Sequence, residues 1–223
     1  MRILVLIAGT NDQSNSATIA AAFMRGVKKS ADAEVKSVRL KDLSIAHFTL
    51  DFYDPNCRQE EDFCTLQNKI EEAHGIVIAT PIWNFGVPAH LKNLIDRMGS
   101  FALDATRSKG TLKGKPFYLI FTGGSPRAAW TGLMRKTTSF LPVSLKYFGG
   151  TIAGILYEGR CMKGRGVFGL VVDKRPGCLE RAERAGARFA DIVREYAATG
   201  KLPFTQTFLY RLYRIGQAIV KKL

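Results

Sequence analysis

The chain has 223 residues, 46% of them hydrophobic and 23% charged, with 33 Lys and Arg against 19 Asp and Glu. That balance excludes a disordered chain and suits one α/β domain with an extension. No run reaches the roughly 18–20 apolar residues of a membrane span. The four cysteines (57, 64, 161, 178) and three histidines (47, 74, 90) show no metal-ligand spacing, so no metal is expected.

The first apolar run, Ile3–Ala8, is continuous, as in a strand buried on both faces. It is too short for a secretory leader, and a cytoplasmic location is expected. Thr18–Lys28 has apolar residues at helical spacing, Glu34–Leu40 alternates like a strand, and Glu60–Ala73 reads as a helix. Gly75–Thr80 is a third strand, and Pro88–Met98 a helix with Leu91, Leu94, Ile95 and Met98 on one face. Lys115–Thr122 is a fourth strand, followed by a helix over Ala128–Leu141 that ends near Pro142. Thr151–Tyr157 is a fifth strand, and Leu179–Ala198 a charged amphipathic helix. Five strands alternating with helices predict a doubly wound parallel sheet in a three-layer α/β/α sandwich. Ligands of such sheets bind beyond the carboxyl ends of the strands, so those loops carry the function.

Three of them stand out. After strand one, GTNDQSNSAT offers hydroxyls, amides and the amino end of a helix, a setting for a phosphate. An ordinary N-cap from Ser14 or Ser16 would explain one residue of that run but not all of it. The loop carries neither GxGxxG nor GK[ST], which favours a single phosphate monoester. After strand three, ATPIWNFGVPAHLKNLIDRM places Trp83 and Phe85 in a turn, where large aromatics are unusual. They either flank a flat ring or serve core packing or a dimer face. After strand four, Gly123-Gly124 permits close backbone approach to a ligand, or makes a plain turn. Together the three loops suit FMN, a flat ring with a phosphate tail.

At this point residues 1–200 resemble the flavodoxin-like NAD(P)H-dependent FMN reductase and quinone reductase superfamily, which includes azoreductases. GTNDQSNSAT, TPIWNFGVPAHLKNLIDRM and FTGGS carry the resemblance, the second most specifically. It implies a flavodoxin-like FMN-binding domain over residues 1–200, a homodimer, and hydride transfer from NAD(P)H through FMN to a quinone, flavin or similar acceptor. By the same resemblance Thr10, Ser14, Asn15 and Ser16 belong to the phosphate loop. Pro81, Ile82, Trp83, Asn84 and Phe85 line the isoalloxazine, and Thr122, Gly123 and Gly124 approach its pyrimidine edge. Many relatives carry an Arg in the first loop, and the nearest position here is Asp12. The hydride chemistry belongs to the cofactor, so no side chain is assigned as catalytic.

The alternative is a flavodoxin-type electron-transfer protein without its own NAD(P)H oxidation, and a third reading is a flavin-bearing partner domain. Charge weighs on the choice. Residues 1–100 hold 11 basic and 12 acidic side chains, and residues 101–223 hold 22 and 7. No nucleic-acid motif accompanies the basic half, and no nucleic-acid partner is expected. Arg107, Arg127, Arg135 and Lys136 are each candidates for the 2′-phosphate of NADPH, and each taken singly reads as solvated surface. Residues 201–223 form a basic amphipathic extension, read as a dimer-closing helix or a contact with the membrane surface.

Overall fold

The computed structural model describes residues 1–201 and 215; the extension predicted over 201–223 therefore lies almost wholly outside the described residues. Five strands, β1 (Arg2–Ile7), β2 (Glu34–Arg39), β3 (Gly75–Pro81), β4 (Pro116–Thr122) and β5 (Thr151–Glu158), form one sheet in the order β2-β1-β3-β4-β5. Every pairing is parallel. This is the flavodoxin-like order, with its switch point between β1 and β3.

The period-two alternation of each strand divides the core. Ile3, Val5 and Ile7 of β1 face α1 (Asn15–Ser30) and α6 (Pro176–Thr199), where Phe23, Phe189 and Val193 complete one apolar layer. Leu4 and Leu6 face α2 (Glu61–Glu72), α3 (Ala89–Met98) and α5 (Phe140–Tyr147) on the other side. The connection after β1 therefore leaves toward one face and the connection after β3 toward the other. A crevice opens between them at the carboxyl edge.

Helices α1 and α6 meet almost backbone to backbone. A Cβ on Gly26 would lie 1.9 Å from the carbonyl oxygen of Glu183, and one on Gly186 would lie 2.0 Å from that of Phe23. Two glycines thus set the spacing of the layer whose first helix begins at the phosphate-type loop.

The longest crossover, between β2 and α2, is held by one buried cation. Arg97 of α3 is wholly buried and donates to both carboxylate oxygens of Glu60, to Gln59 Oε1 and to the carbonyl of Ala46. Its guanidinium carbon sits 3.4 Å from the ring centroid of Phe52 and 4.2 Å from that of Phe63. The guanidinium hydrogen bonds hold the Glu60 carboxyl below its ordinary pKa. Asn93, one turn earlier, accepts from Phe48 N–H and donates to the carbonyl of Ala46.

One predicted helix differs. The stretch expected as a single helix over Ala128–Leu141 is α4 (Arg127–Ala129), a π turn (Trp130–Met134) and a 3₁₀ turn (Arg135–Thr138), followed by α5. Hydroxyls of Thr131, Thr137, Thr138 and Ser139 bond back to carbonyls three or four residues earlier and compete with the regular ladder. Pro142 stands in the first turn of α5, where its missing N–H costs nothing, so it starts a helix where the sequence reading had it end one. Among the described residues no helix is long and apolar enough to cross a membrane.

Gly186→Ala tests the α1–α6 contact. In an unconstrained helix this change stabilises by up to about 1 kcal/mol. Here it should cost roughly 1–3 kcal/mol in urea unfolding, as an overpacked contact does. Unchanged stability would contradict the close approach.

Candidate functional site

The loop after β1 is shaped by what it excludes. A Cβ on Gly9 would lie 2.3 Å from Ser14 Oγ and 2.7 Å from Ser16 Oγ, so glycine is required where the loop turns over its own hydroxyls. Ser14 caps α1, accepting from Ala17 N–H at 3.4 Å, and its hydroxyl lies 2.8 Å from that of Ser16. The first turn of α1 holds no acidic residue. The free N–H groups and dipole of a 16-residue helix therefore face the cleft uncancelled. Asn15 also makes long-range contacts. Its amide donates to the Gly169 carbonyl and accepts from Val171 and Val172 N–H, tying the β5–α6 connection to this loop.

Positive charge near the loop comes from the end of β2 and the 3₁₀ turn that follows it (Leu40–Asp42). Arg39 and Lys41 both reach the exposed carboxylate of Asp12, Lys41 at 2.6 Å and Arg39 at 3.3 Å. The Lys41 hydrogen bond, then the charges of Lys41 and Arg39, hold the Asp12 carboxyl below its ordinary range. Two cations thus stand beside a loop that contains none itself.

The loop after β3 is a two-residue hairpin. Trp83 and Gly86 exchange backbone hydrogen bonds of 2.9 and 2.8 Å, and Asn84 and Phe85 take φ of 47° and 63°. Both central residues are left-handed, as a type I′ turn requires. Asn tolerates this conformation, whereas Phe pays roughly 1–2 kcal/mol for it. Neither aromatic is a core residue, since Trp83 is 40% and Phe85 67% exposed. Core packing, one of the two non-functional readings of these rings, is thereby removed. Behind the turn, Ile82 N–H donates to the Thr122 carbonyl at 2.7 Å, and His90 Nε2 lies 3.0 Å from the Ala8 carbonyl oxygen. These two bonds fix the hairpin to β4 and α3 to β1.

The loop after β4 packs against the segment after β5. Gly123 N–H donates to the Glu158 carbonyl, and Cys161 N–H to that of Gly123. Added Cβ atoms would lie 3.0 Å from Tyr157 Oη at Gly123 and 2.8 Å from Met162 Sδ at Gly124. Tyr157 stacks on Trp130 with centroids 4.5 Å apart and donates to the Ser125 carbonyl. Burial pushes its hydroxyl up to about 12 and the Cys161 thiol up to about 11, so both stay protonated near neutral pH.

One cleft results at the switch point. Of the residues predicted for a flavin site, Thr10, Ser14 and Asn15 line it from the first loop. Pro81, Ile82 and Trp83 line it from the second, and Thr122, Gly123 and Gly124 from the third. Ser16, Asn84 and Phe85 stand outside the lining, Ser16 buried beside the Ser14 hydroxyl and the other two exposed in the hairpin turn. Sequence reasoning did not single out Gly9, Asn11 and Gln13, which belong to the same first loop, nor Cys161, Met162, Phe168 and Gly169. The last four come from the connection after β5, and reading that strand end as the other three were read would have found them. The donor set fits a phosphate-bearing flat ring. A helix amino end with a serine cap suits the phosphate, a half-exposed indole suits a ring face, and two glycines admit a ring edge.

Residues 1–140 match the protein family described as NADPH-dependent FMN reductase. The chain is 30% identical over 174 residues to the FMN-dependent NADH:quinone oxidoreductase of Acidovorax ebreus (strain TPSY), covering 70% of this chain and 81% of that protein. Its fold resembles that of an NAD(P)H:quinone oxidoreductase from Methanothermobacter marburgensis, with a TM-score of 0.67, 18% identity, and coverage of 85% of this chain and 96% of that one. It also resembles an FMN-dependent NADH-azoreductase from Bacillus anthracis str. Ames Ancestor in complex with FMN, with a TM-score of 0.61, 16% identity, and coverage of 85% and 100%.

Phe85→Gly tests the strained hairpin. The change creates the favoured Asn-Gly pair and removes an exposed side chain, so chemical denaturation should show stability unchanged or raised by up to about 1 kcal/mol. A loss beyond about 1 kcal/mol would mean that the ring packs and that the turn is not strained.

Proposed function

Because the chain belongs to the NADPH-dependent FMN reductase family, we propose that it binds FMN non-covalently in the switch-point cleft and acts as an NAD(P)H-dependent oxidoreductase on a quinone or similar small acceptor. The observation that carries this is the convergence of three strand-end loops, one leading into a serine-capped helix amino end and one presenting a half-exposed indole, on a single cleft. FMN, when bound, supplies the two-electron chemistry, taking hydride from nicotinamide and passing it to the acceptor.

The protein's own residues bind and orient. Ser14 and the amino end of α1 would hold the phosphate, with Gly9 keeping the approach clear and Arg39 and Lys41 adding positive potential. Trp83 would cover one side of the ring, and Gly123 and Gly124 would let backbone reach its polar edge. Cys161, on the wall of the cleft, keeps its proton and so brings no fixed negative charge against electron-rich reduced flavin. No side chain is needed as an acid or base for hydride transfer, and none is assigned as catalytic.

A flavodoxin-type carrier is less well supported, because such carriers are commonly acidic and this chain has a net charge of +14. The reading extends to a cytoplasmic homodimer in which 1–200 is the FMN-binding domain. Residues 201–223 would act as a basic extension that closes the dimer or touches the membrane surface.

Purified protein mixed with FMN and desalted should retain a visible flavin spectrum, and anaerobic NADPH or NADH should bleach it until a quinone restores it. Loss of all flavin on desalting would overturn the binding reading. Retained flavin that neither nucleotide bleaches would instead favour the electron-carrier alternative.

A further inference from the structure

A second cleft, of about 560 Å³, adjoins the first and is far more strongly charged. Arg127, Arg160, Arg175 and Arg181 line it around a single carboxylate, that of Glu158, with Tyr157 also on its wall. The two clefts share a partition. Gly123, Gly124 and Cys161 line the first, and Arg127 and Arg160 of the same two segments line the second. Cys161 N–H to the Gly123 carbonyl and Arg160 N–H to the Ser125 carbonyl, at 2.9 and 3.2 Å, bind those segments together.

Two of the four arginines are structural and two are unspent. Arg175 reaches one Glu158 oxygen at 3.3 Å and donates to the carbonyls of Gly159 and Arg160. Arg181 reaches the other Glu158 oxygen at 2.8 Å. These contacts fix both guanidiniums while leaving each with N–H donors to spare. Among the described residues neither Arg127 nor Arg160 pairs with a carboxylate. Arg160 is moreover held at φ 54°, a left-handed conformation that is unfavourable for a bulky residue. One arginine would suffice to satisfy Glu158. Four cations around one anion repel one another and gain from a further, multiply charged anion.

We propose that this cleft binds the 2′-phosphate of NADPH, so that it selects the phosphorylated nucleotide. The inference rests on the oxidoreductase reading above, which requires a nicotinamide dinucleotide beside the flavin. The flavin's own phosphate is accounted for at the amino end of α1. A phosphate monoester is the most highly charged anion that the dinucleotide can add, and planar, forked guanidiniums match its oxygens. Arg127, expected singly to be solvated surface, gains a role from three neighbours that lie 33 to 54 positions further along the chain.

The test is calorimetric titration of NADP⁺ and NAD⁺, neither of which reduces flavin, into the full chain saturated with FMN. The wild type should bind NADP⁺ more tightly than NAD⁺. Arg127→Gln with Arg160→Gln should weaken NADP⁺ by about tenfold or more and leave NAD⁺ nearly unchanged. Lys28→Gln with Lys146→Gln makes the same change in net charge at exposed lysines outside both clefts and should alter neither. Undiminished NADP⁺ binding in the first double variant would overturn the proposal. So would equal weakening of both nucleotides, which would place the pyrophosphate there, or an equal effect of the second variant, which would reduce the result to net charge. The flavin spectrum of each sample is read separately. A protein without flavin that still prefers NADP⁺ would sink the oxidoreductase reading and keep the cleft.

Discussion

Everything at the site depends on where the sheet reverses its winding. Because β1 sits between β2 and β3, the chain leaves β1 toward one face and β3 toward the other. Two loops are thereby pulled apart at one edge, and no side chain has to be sacrificed to open the crevice. The remaining features of the carboxyl edge put something into that gap. They are a helix amino end from β1, a hairpin from β3, a pair of glycines from β4, and a connection from β5 that crosses back over them.

The long motif from Ala79 to Met98 divides into two parts with different work. Its first half forms the hairpin whose strain at Phe85 the fold tolerates and whose indole faces the cleft. Its second half is a clamp. His90 approaches the end of β1, Asn93 holds the chain near Phe48, and Arg97 organises the crossover between β2 and α2. An arginine in the helix of a flavin-type motif invites a ligand-binding role, yet Arg97 is wholly buried between two phenyl rings and saturates Glu60. Removing one partner of such a pair strands the other charge, so the motif's strong pattern reflects architecture as much as chemistry.

The centre of the sheet was legible in the sequence because its three inner strands are buried on both faces and therefore read as unbroken apolar runs. Ile3–Ala8, Gly75–Thr80 and Lys115–Thr122 stand within a residue of the observed β1, β3 and β4. The part of the loop after β1 that lines the cleft was legible for a similar reason, as a dense local run of small polar residues. Two things were not legible. Asn15 lines the cleft as expected from the first loop, but its side-chain partners lie more than 150 residues away, and local composition carries no trace of such pairing. The four-arginine cleft was invisible because its members are dispersed from 127 to 181 and gather only where the β4 and β5 ends are zipped together. Helix α4 and its π and 3₁₀ continuation failed for a local reason, the back-bonding of Thr and Ser hydroxyls, which apolar periodicity does not register.

The central claim is that the amino end of α1 recognises a phosphate and so makes the switch-point cleft specific for FMN. Quenching of flavin fluorescence, titrated in parallel with FMN and with riboflavin, tests it most directly, because the two ligands differ only in that phosphate. The account predicts that FMN binds at least about a hundredfold more tightly, the equivalent of roughly 2.7 kcal/mol. The difference should shrink in Gly9→Ala, where the new methyl group presses on Ser14 Oγ and Ser16 Oγ. Equal affinity for the two flavins would contradict it.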